Sequence, residues 1–205
     1  MTVKVQFHFD FGSPNTYYCH KVIPEIEART GVNFEYFPIL LGGIFRETDN
    51  KSPMEQFAGV KNKNEYQALE SARFREKHGI TDFRMNPNFP VNTLYIMRGA
   101  IFAQQHGFGE EYIDKMYSFM WEQELKMDDP GVIHKALSDN GLPADEIIAG
   151  TADPEIKKKL IDNTIESVER GTFGSPTIFV SNEIYFGKDK LRDVEEEIVR
   201  LNSAG

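Results

Sequence analysis

The segment Phe9-Asp10-Phe11-Gly12-Ser13-Pro14-Asn15-Thr16 joins an alternating apolar stretch to a long mixed one. A serine followed by proline reads as a helix start, with the hydroxyl expected to cap free amides and the proline at the first helical position. A helix amino terminus gathers unpaired N–H groups and the positive end of the dipole, so an anion is stabilised there, as is a group that must become one. The same field lowers the pKa of a thiol. Neither Ser13 nor Thr16, the ends of this four-residue turn, is cysteine, which excludes dithiol–disulfide exchange by these residues. What remains open to Ser13 is to donate a hydrogen bond to a thiolate of another molecule. On residue type alone a plain capping serine also accounts for the pattern.

Two further segments carry potential chemistry. In Gly174-Ser175-Pro176-Thr177 a proline precedes a strand-forming run. A cis Ser175–Pro176 bond would expose the Ser175 backbone amide and carbonyl to a ligand. The spacing by itself favours trans, because only about 5–6% of X–Pro bonds in folded proteins are cis. In Phe186-Gly187-Lys188-Asp189-Lys190, the amides of Lys188 and Asp189 at a helix start suit a carboxylate, and the Asp189 side chain suits an ammonium or a helix cap. Other candidates read as packing. Cys19, the single cysteine, falls inside the first helix and reads as core. His8, His20, His78, His106 and His134 show no metal-ligand spacing, so no metal is expected. Tyr17, Tyr18, Phe45, Phe89 and Trp121 are candidates to line an apolar pocket, with Trp121 preferred as core.

The elements that must position these groups follow from periodicity. Val3, Val5, Phe7 and Phe9 alternate with Lys4, Gln6 and His8, a strand half buried or deeper. A helix should run from Ser13 to about Arg29 and stop at Gly31. Val32, Phe34 and Tyr36 form a second strand, for which a parallel pairing with a right-handed crossover is the default. From Ile39 to Arg170 the pattern is helical: Asn64–Lys77, Asn92–Gln105, Glu110–Glu124, and starts at Asp129-Pro130 and Asp153-Pro154. A polar loop fits Glu47–Lys63. Thr177–Val180 and Glu183–Phe186 flank Ser181-Asn182 as a hairpin, and a last helix turns Leu191, Val194, Ile198 and Leu201 inward, capped by Asp189. The order βαβ, helical block, ββα is that of a thioredoxin-like α/β fold with a large helical insertion. The division is residues 1–45 with 172–205 for the discontinuous thioredoxin-like part, and 46–171 for the helical insertion.

Composition narrows the class. The chain has 205 residues, 40% hydrophobic and 27% charged, as in ordinary globular proteins. The 23 basic against 32 acidic side chains give a net −9, a field that repels phosphate backbones and argues against general nucleic-acid binding. No apolar run approaches the ~20 residues of a membrane span, and the alternating Met1–Phe11 segment is not a signal peptide. A soluble cytoplasmic protein of a reducing compartment is expected.

In order along the chain, these segments resemble the family of 2-hydroxychromene-2-carboxylate isomerases and kappa-class glutathione transferases, in the DsbA-like branch of the thioredoxin fold. The resemblance lies in F-D-F-x-S-P (Phe9–Pro14), G-x-P-T (Gly174–Thr177) and F/W-G-x-D-R (Phe186–Lys190). Weaker matches are Asn50-Lys51-Ser52-Pro53, Lys61–Tyr66 and Phe89–Thr93. Lys190 stands where arginine is usual, so a bidentate contact would be lost, and Gly12 stands where a bulkier residue is common. The resemblance implies bound reduced glutathione. Ser13 would contact its sulfur, and Ser175, before Pro176, would pair with its cysteinyl backbone. Lys188 and Asp189 would hold its γ-glutamyl end. Asn50 and Lys63, less surely Lys61, would contact glutathione or an anionic substrate. It also implies a small aromatic substrate and a homodimer. The implied activity is a glutathione-dependent isomerase. The alternatives are a kappa-like transferase, a DsbA-family oxidoreductase-like protein without its cysteine pair, and a non-catalytic binding module.

Overall fold

The computed structural model describes residues 3–203, so Met1 and Thr2 of the alternating segment and Ala204 and Gly205 lie outside it. The alternation at the start becomes strand β1, Val5–Phe9. Helix α1, Pro14–Thr30, follows, with Pro14 in its first turn and Gly31 ending it at φ 69°. That left-handed conformation costs glycine nothing, and the Gly31 amide closes the last turn on the Glu27 carbonyl. Strand β2, Phe34–Pro38, returns parallel to β1. Strands β3, Thr177–Val180, and β4, Glu183–Phe186, form the hairpin. β3 lies antiparallel to β1, giving one mixed sheet in the order β2-β1-β3-β4.

β1 is central and buried on both faces. Phe7 and Phe9 pack edge-on against the Tyr36 ring. On the opposite face the His8 ring stacks on Phe37 and tilts toward Phe179. The strand therefore alternates aromatic and polar residues without putting the polar ones in water; Gln6, His8 and Asp10 are all buried.

Between β2 and β3 the chain is helical. It forms α2 Leu41–Glu47, α3 Pro53–Gln56, α4 Lys63–Lys77, α5 Leu94–Gln105, α6 Gly109–Trp121, α7 Pro130–Asp139, α8 Ala144–Gly150 and α9 Pro154–Glu169. Asp129 and Asp153 cap α7 and α9 as their Asp-Pro pairs predict, accepting from the amides of Gly131, Val132 and Glu155. The expected loop at 47–63 contains the short α3, capped by Ser52, which accepts from the Glu55 amide. α6 stops at Trp121, short of the expected Glu124, whose φ of 59° takes it out of the helix. α9 packs on α2 and β2 and so covers the sheet face that carries His8. The final helix, α10 Leu191–Ser203, buries Leu191, Val194 and Ile198 against α1, with Leu201 half-buried. Among the described residues no helix is long and apolar enough to cross a membrane.

Candidate active site

Three loops meet where β1 ends. Asp10 joins them, although it is 1% exposed. Its Oδ1 accepts from the Gly12 amide at 2.8 Å and its Oδ2 from the Leu41 amide at 2.7 Å. The Thr93 hydroxyl is a third donor. Burial raises the Asp10 pKa against the opposing pull of those three hydrogen bonds. The Asp10 carbonyl accepts from the Ser13 amide at 3.1 Å. Trp121 fixes the same loop by donating from Nε1 to the Phe11 carbonyl at 2.8 Å. Trp121 is core, as expected, and Tyr17 and Tyr18 are buried with it rather than lining an open pocket. Phe45 and Phe89 are half-buried.

Ser13 sits at the cap position of α1, but its side chain caps nothing. This corrects the sequence expectation. Its hydroxyl instead crosses to β3's lead-in and donates to the Ser175 carbonyl at 3.0 Å. The first turn of α1 thus has no side chain over its amides, and the electropositive end of the helix dipole lies beside the Ser13 oxygen. The Ser175–Pro176 bond is cis, correcting the trans expectation. Ser175 is buried, and its own hydroxyl donates to the His8 carbonyl at 3.1 Å. The Pro176 carbonyl accepts from the Gly187 amide at 3.0 Å, so the turn before Lys188 adjoins Ser175 and Ser13.

Asn50 reaches the same strand lead-in, donating from Nδ2 to the Phe173 carbonyl at 2.8 Å. The Phe173 ring rests on Phe186 with centroids 4.5 Å apart. A side chain on Gly174 would strike the Phe186 ring, whose Cε2 lies 2.8 Å from where Cβ would stand. The structure therefore brings Ser13, Ser175, Pro176, Asn50 and the Gly187–Lys188 turn into one contiguous set. The Lys63 ammonium stands 4.9 Å from the centre of the Phe57 ring, and Lys61 is exposed.

Asp189 does not cap the last helix, a second correction to the expected caps. Lys188–Lys190 form a 3-10 turn behind Gly187, and the Asp189 carboxylate accepts from Lys188 Nζ at 2.6 Å. Lys188 is buried, its ammonium 5.0 Å from the Phe74 ring centre. Both residues border a cleft of about 420 Å³ between α1, α4 and α10, floored by Val22, Ile26, Phe74 and Leu191. Cys19 is fully buried on α1, and desolvation pushes its thiol pKa up, so it has none of the properties of a reactive cysteine.

Gly12 has a structural reason. A Cβ there would stand 3.1 Å from Thr93 Cγ2 and 3.3 Å from Asp10 Oδ1. The Thr93 methyl fills the space that a bulkier residue would take. Gly12→Val is expected to destabilise the protein by about 1–3 kcal/mol through overpacking. Paired with Thr93→Ser, which removes the methyl and keeps the hydroxyl beside Asp10, part of the loss should be recovered. Urea midpoints of the two variants check this.

The sequence matches the DsbA-like thioredoxin domain model over residues 4–199. The chain belongs to that family. It is 25% identical over 199 residues to a 2-hydroxychromene-2-carboxylate isomerase of Sphingobium xenophagum, covering 97% of this chain and 100% of that one. It is 24% identical over 202 residues to the enzyme of the same name from Pseudomonas putida, covering 96% and 95%. A solved structure of a 2-hydroxychromene-2-carboxylate isomerase superimposes with a TM-score of 0.82 at 21% identity, covering 96% of this chain and 95% of that one. The sequence expectation of a thioredoxin-like fold with a helical insertion, and the resemblance to this isomerase group, both hold.

Sequence reasoning missed Asp10 as the knot of the site, although Asp10 stands in the first motif. The signal was present: an acid between Phe9 and Phe11 at the end of a buried strand must find donors or be expelled.

Proposed function

We propose that this protein is a glutathione-dependent isomerase of the 2-hydroxychromene-2-carboxylate type. The observation that carries the reading is the Ser13 hydroxyl at an α1 terminus without a side-chain cap, bonded to the carbonyl that precedes Pro176. The donor set fits glutathione. One hydroxyl suits a sulfur, one carbonyl suits the cysteinyl amide, and at the turn after Gly187 the backbone amides of Lys188 and Asp189 suit the carboxylate, and the exposed Asp189 side chain the ammonium, of a γ-glutamyl group. Bound glutathione would supply a thiolate nucleophile for reversible addition to a conjugated carbon of the substrate, chemistry that would allow rotation about the former double bond.

The protein's residues have narrower tasks. Ser13 donates a hydrogen bond to the sulfur, and the amino terminus of α1 adds the dipole's positive end. A free thiol near pKa ~8.5 needs a shift of one or two units to be mostly ionised at neutral pH. Each unit corresponds to roughly 1.4 kcal/mol, within the range of a helix terminus plus one charge-assisted hydrogen bond. Asp10, through Gly12 and the Ser13 amide, keeps the loop that carries the hydroxyl from moving. Asn50 holds the Phe173 carbonyl and so the lead-in to Ser175, and a contact of Lys63 with an anionic substrate belongs to the same proposal.

Turnover of 2-hydroxychromene-2-carboxylate is expected to require reduced glutathione, with the free thiol titre constant over many turnovers. Full turnover in its absence would contradict the reading. A stoichiometric loss of thiol would replace it with a transferase.

A further inference from the structure

The Lys188 ammonium is buried in the wall of the cleft between α1, α4 and α10. The residue is 5% exposed, and Nζ lies 5.0 Å from the centre of the Phe74 ring on the cleft floor. An ammonium has three protons to donate. Among the described residues one acceptor takes one of them, the Asp189 carboxylate at 2.6 Å, and that side chain is 71% exposed. Water screens such a pair, so it offsets little of what burying the cation costs.

The cleft around this cation has the size and lining of a small-molecule site. Its volume of about 420 Å³ falls in the usual range for such pockets, roughly 300–1,000 Å³. Its floor is apolar, and its lining carries five Lys or Arg against four Asp or Glu, in a chain with 23 against 32. All four acids are already engaged: Glu25 and Glu195 by Arg29, Glu70 by Arg73, and Asp189 by Lys188. His78 adds no charge at neutral pH, since burial and the neighbouring Lys77 hold its pKa below 6.5. The surplus is therefore positive, against the sign of the whole chain. The cleft is also separate from the Ser13 corner. At ~1.5 Å per residue, Val22 lies about 13 Å and Arg29 about 24 Å along α1 from Ser13.

We propose that this cleft is a second ligand site, for an aromatic monocarboxylate, with Lys188 Nζ as the partner of the carboxylate and Phe74 as the face for the ring. The proposal is independent of whether the protein uses glutathione. The carboxylate accepts a proton that the buried ammonium has to spare, a charge-assisted bond away from water. The ring covers the apolar floor of Val22, Ile26, Phe74 and Leu191. A neutral aromatic of the same shape gains the floor and not the cation. Asp189 competes with the ligand for Lys188, so removing its charge strengthens binding.

The probes are 2-naphthoate and 2-naphthylmethanol, which carries a CH2OH group in place of the carboxylate. NMR titration of methyl-labelled protein reads place and affinity together, because an aromatic ring shifts the signals of the methyls it covers. In the wild type the Val22, Ile26 and Leu191 methyls should shift saturably with 2-naphthoate, and the alcohol should bind at least about ten-fold more weakly, as expected for a hydrogen bond between charged groups. Lys188→Met keeps most of the stem and drops the charge, and should bring 2-naphthoate down to the affinity of the alcohol. Asp189→Asn alters an exposed side chain and keeps the fold, and there 2-naphthoate should tighten by about three-fold or more. The same spectra report whether each variant is folded, and Asp189→Asn decides if Lys188→Met is not. Shifts confined to methyls outside the cleft, equal affinities of acid and alcohol in the wild type, an unchanged 2-naphthoate affinity in folded Lys188→Met, or no tightening in Asp189→Asn would each overturn the site.

Discussion

Ser13→Ala is expected to lower turnover at pH 7 by about ten- to a hundred-fold, and to lose less as the pH rises. Part of the loss is ionisation. Without the donor, the bound sulfur returns toward the ~8.5 of a free thiol and is only a few per cent thiolate at neutral pH. The remainder is placement of the nucleophile, which alkali does not restore. The rate ratio of wild type to variant should therefore shrink by roughly ten-fold between pH 7 and pH 9. Stability should fall by about 1–3 kcal/mol, because no cap bond is lost but the Ser175 carbonyl, on a buried residue, loses the Ser13 hydroxyl as its donor. Steady-state rates across that pH range, with a melting curve as control, check both halves. A ratio independent of pH would mean that Ser13 does not act on the ionisation of the sulfur.

Acid should unfold the protein through His8. Its ring is fully buried, stacked on Phe37, with Nδ1 2.8 Å from the Ser167 hydroxyl and no partner for Nε2. Desolvation, helped by the nearby charges of Arg170 and Lys4, lowers its pKa from 6.5 to about 3. The unfolded chain then binds the extra proton throughout that window while the folded one does not. Stability is fully present above pH 6.5 and is lost as the pH falls toward 3, at about 1.4 kcal/mol per unit. Between pH 7 and pH 4 the loss from this one ring is on the order of 3 kcal/mol. Buried Asp10 works in the opposite direction, since its raised pKa favours the folded state in acid, but it is common to both proteins in the comparison. His8→Phe, with the ring shape kept and the proton removed, should flatten the acid limb by that amount. Urea midpoints at pH 7 and pH 4 for both proteins test it, and equal slopes would count against the assignment.

The elements were legible where one local rule decided them. Gly31 ended α1, Ser181-Asn182 turned the hairpin, and the Asp-Pro pairs started α7 and α9. The Ser13 and Asp189 caps were misread because a competing partner lies far away in sequence for the one and one residue away for the other. Ser13 chose the Ser175 carbonyl, and Asp189 chose the Lys188 ammonium. No local pattern weighs a distant acceptor against a near one. The role of Asp10 was hidden for the same reason, since the Leu41 amide and the Thr93 hydroxyl reach it only once β2 and α5 are in place. The resemblance placed Asn50 beside the site and the structure ties it there, but it gave no hint that its target is the Phe173 carbonyl.

The ionisation of the bound sulfur tests the account at its centre. Thiolate absorbance of glutathione, titrated with acid in the presence of excess protein, should report a pKa one to two units below the free value of about 8.5 with the wild type, and one near the free value with Ser13→Ala. A bound thiol that titrates like free glutathione in the wild type, or identically in both proteins, would contradict it.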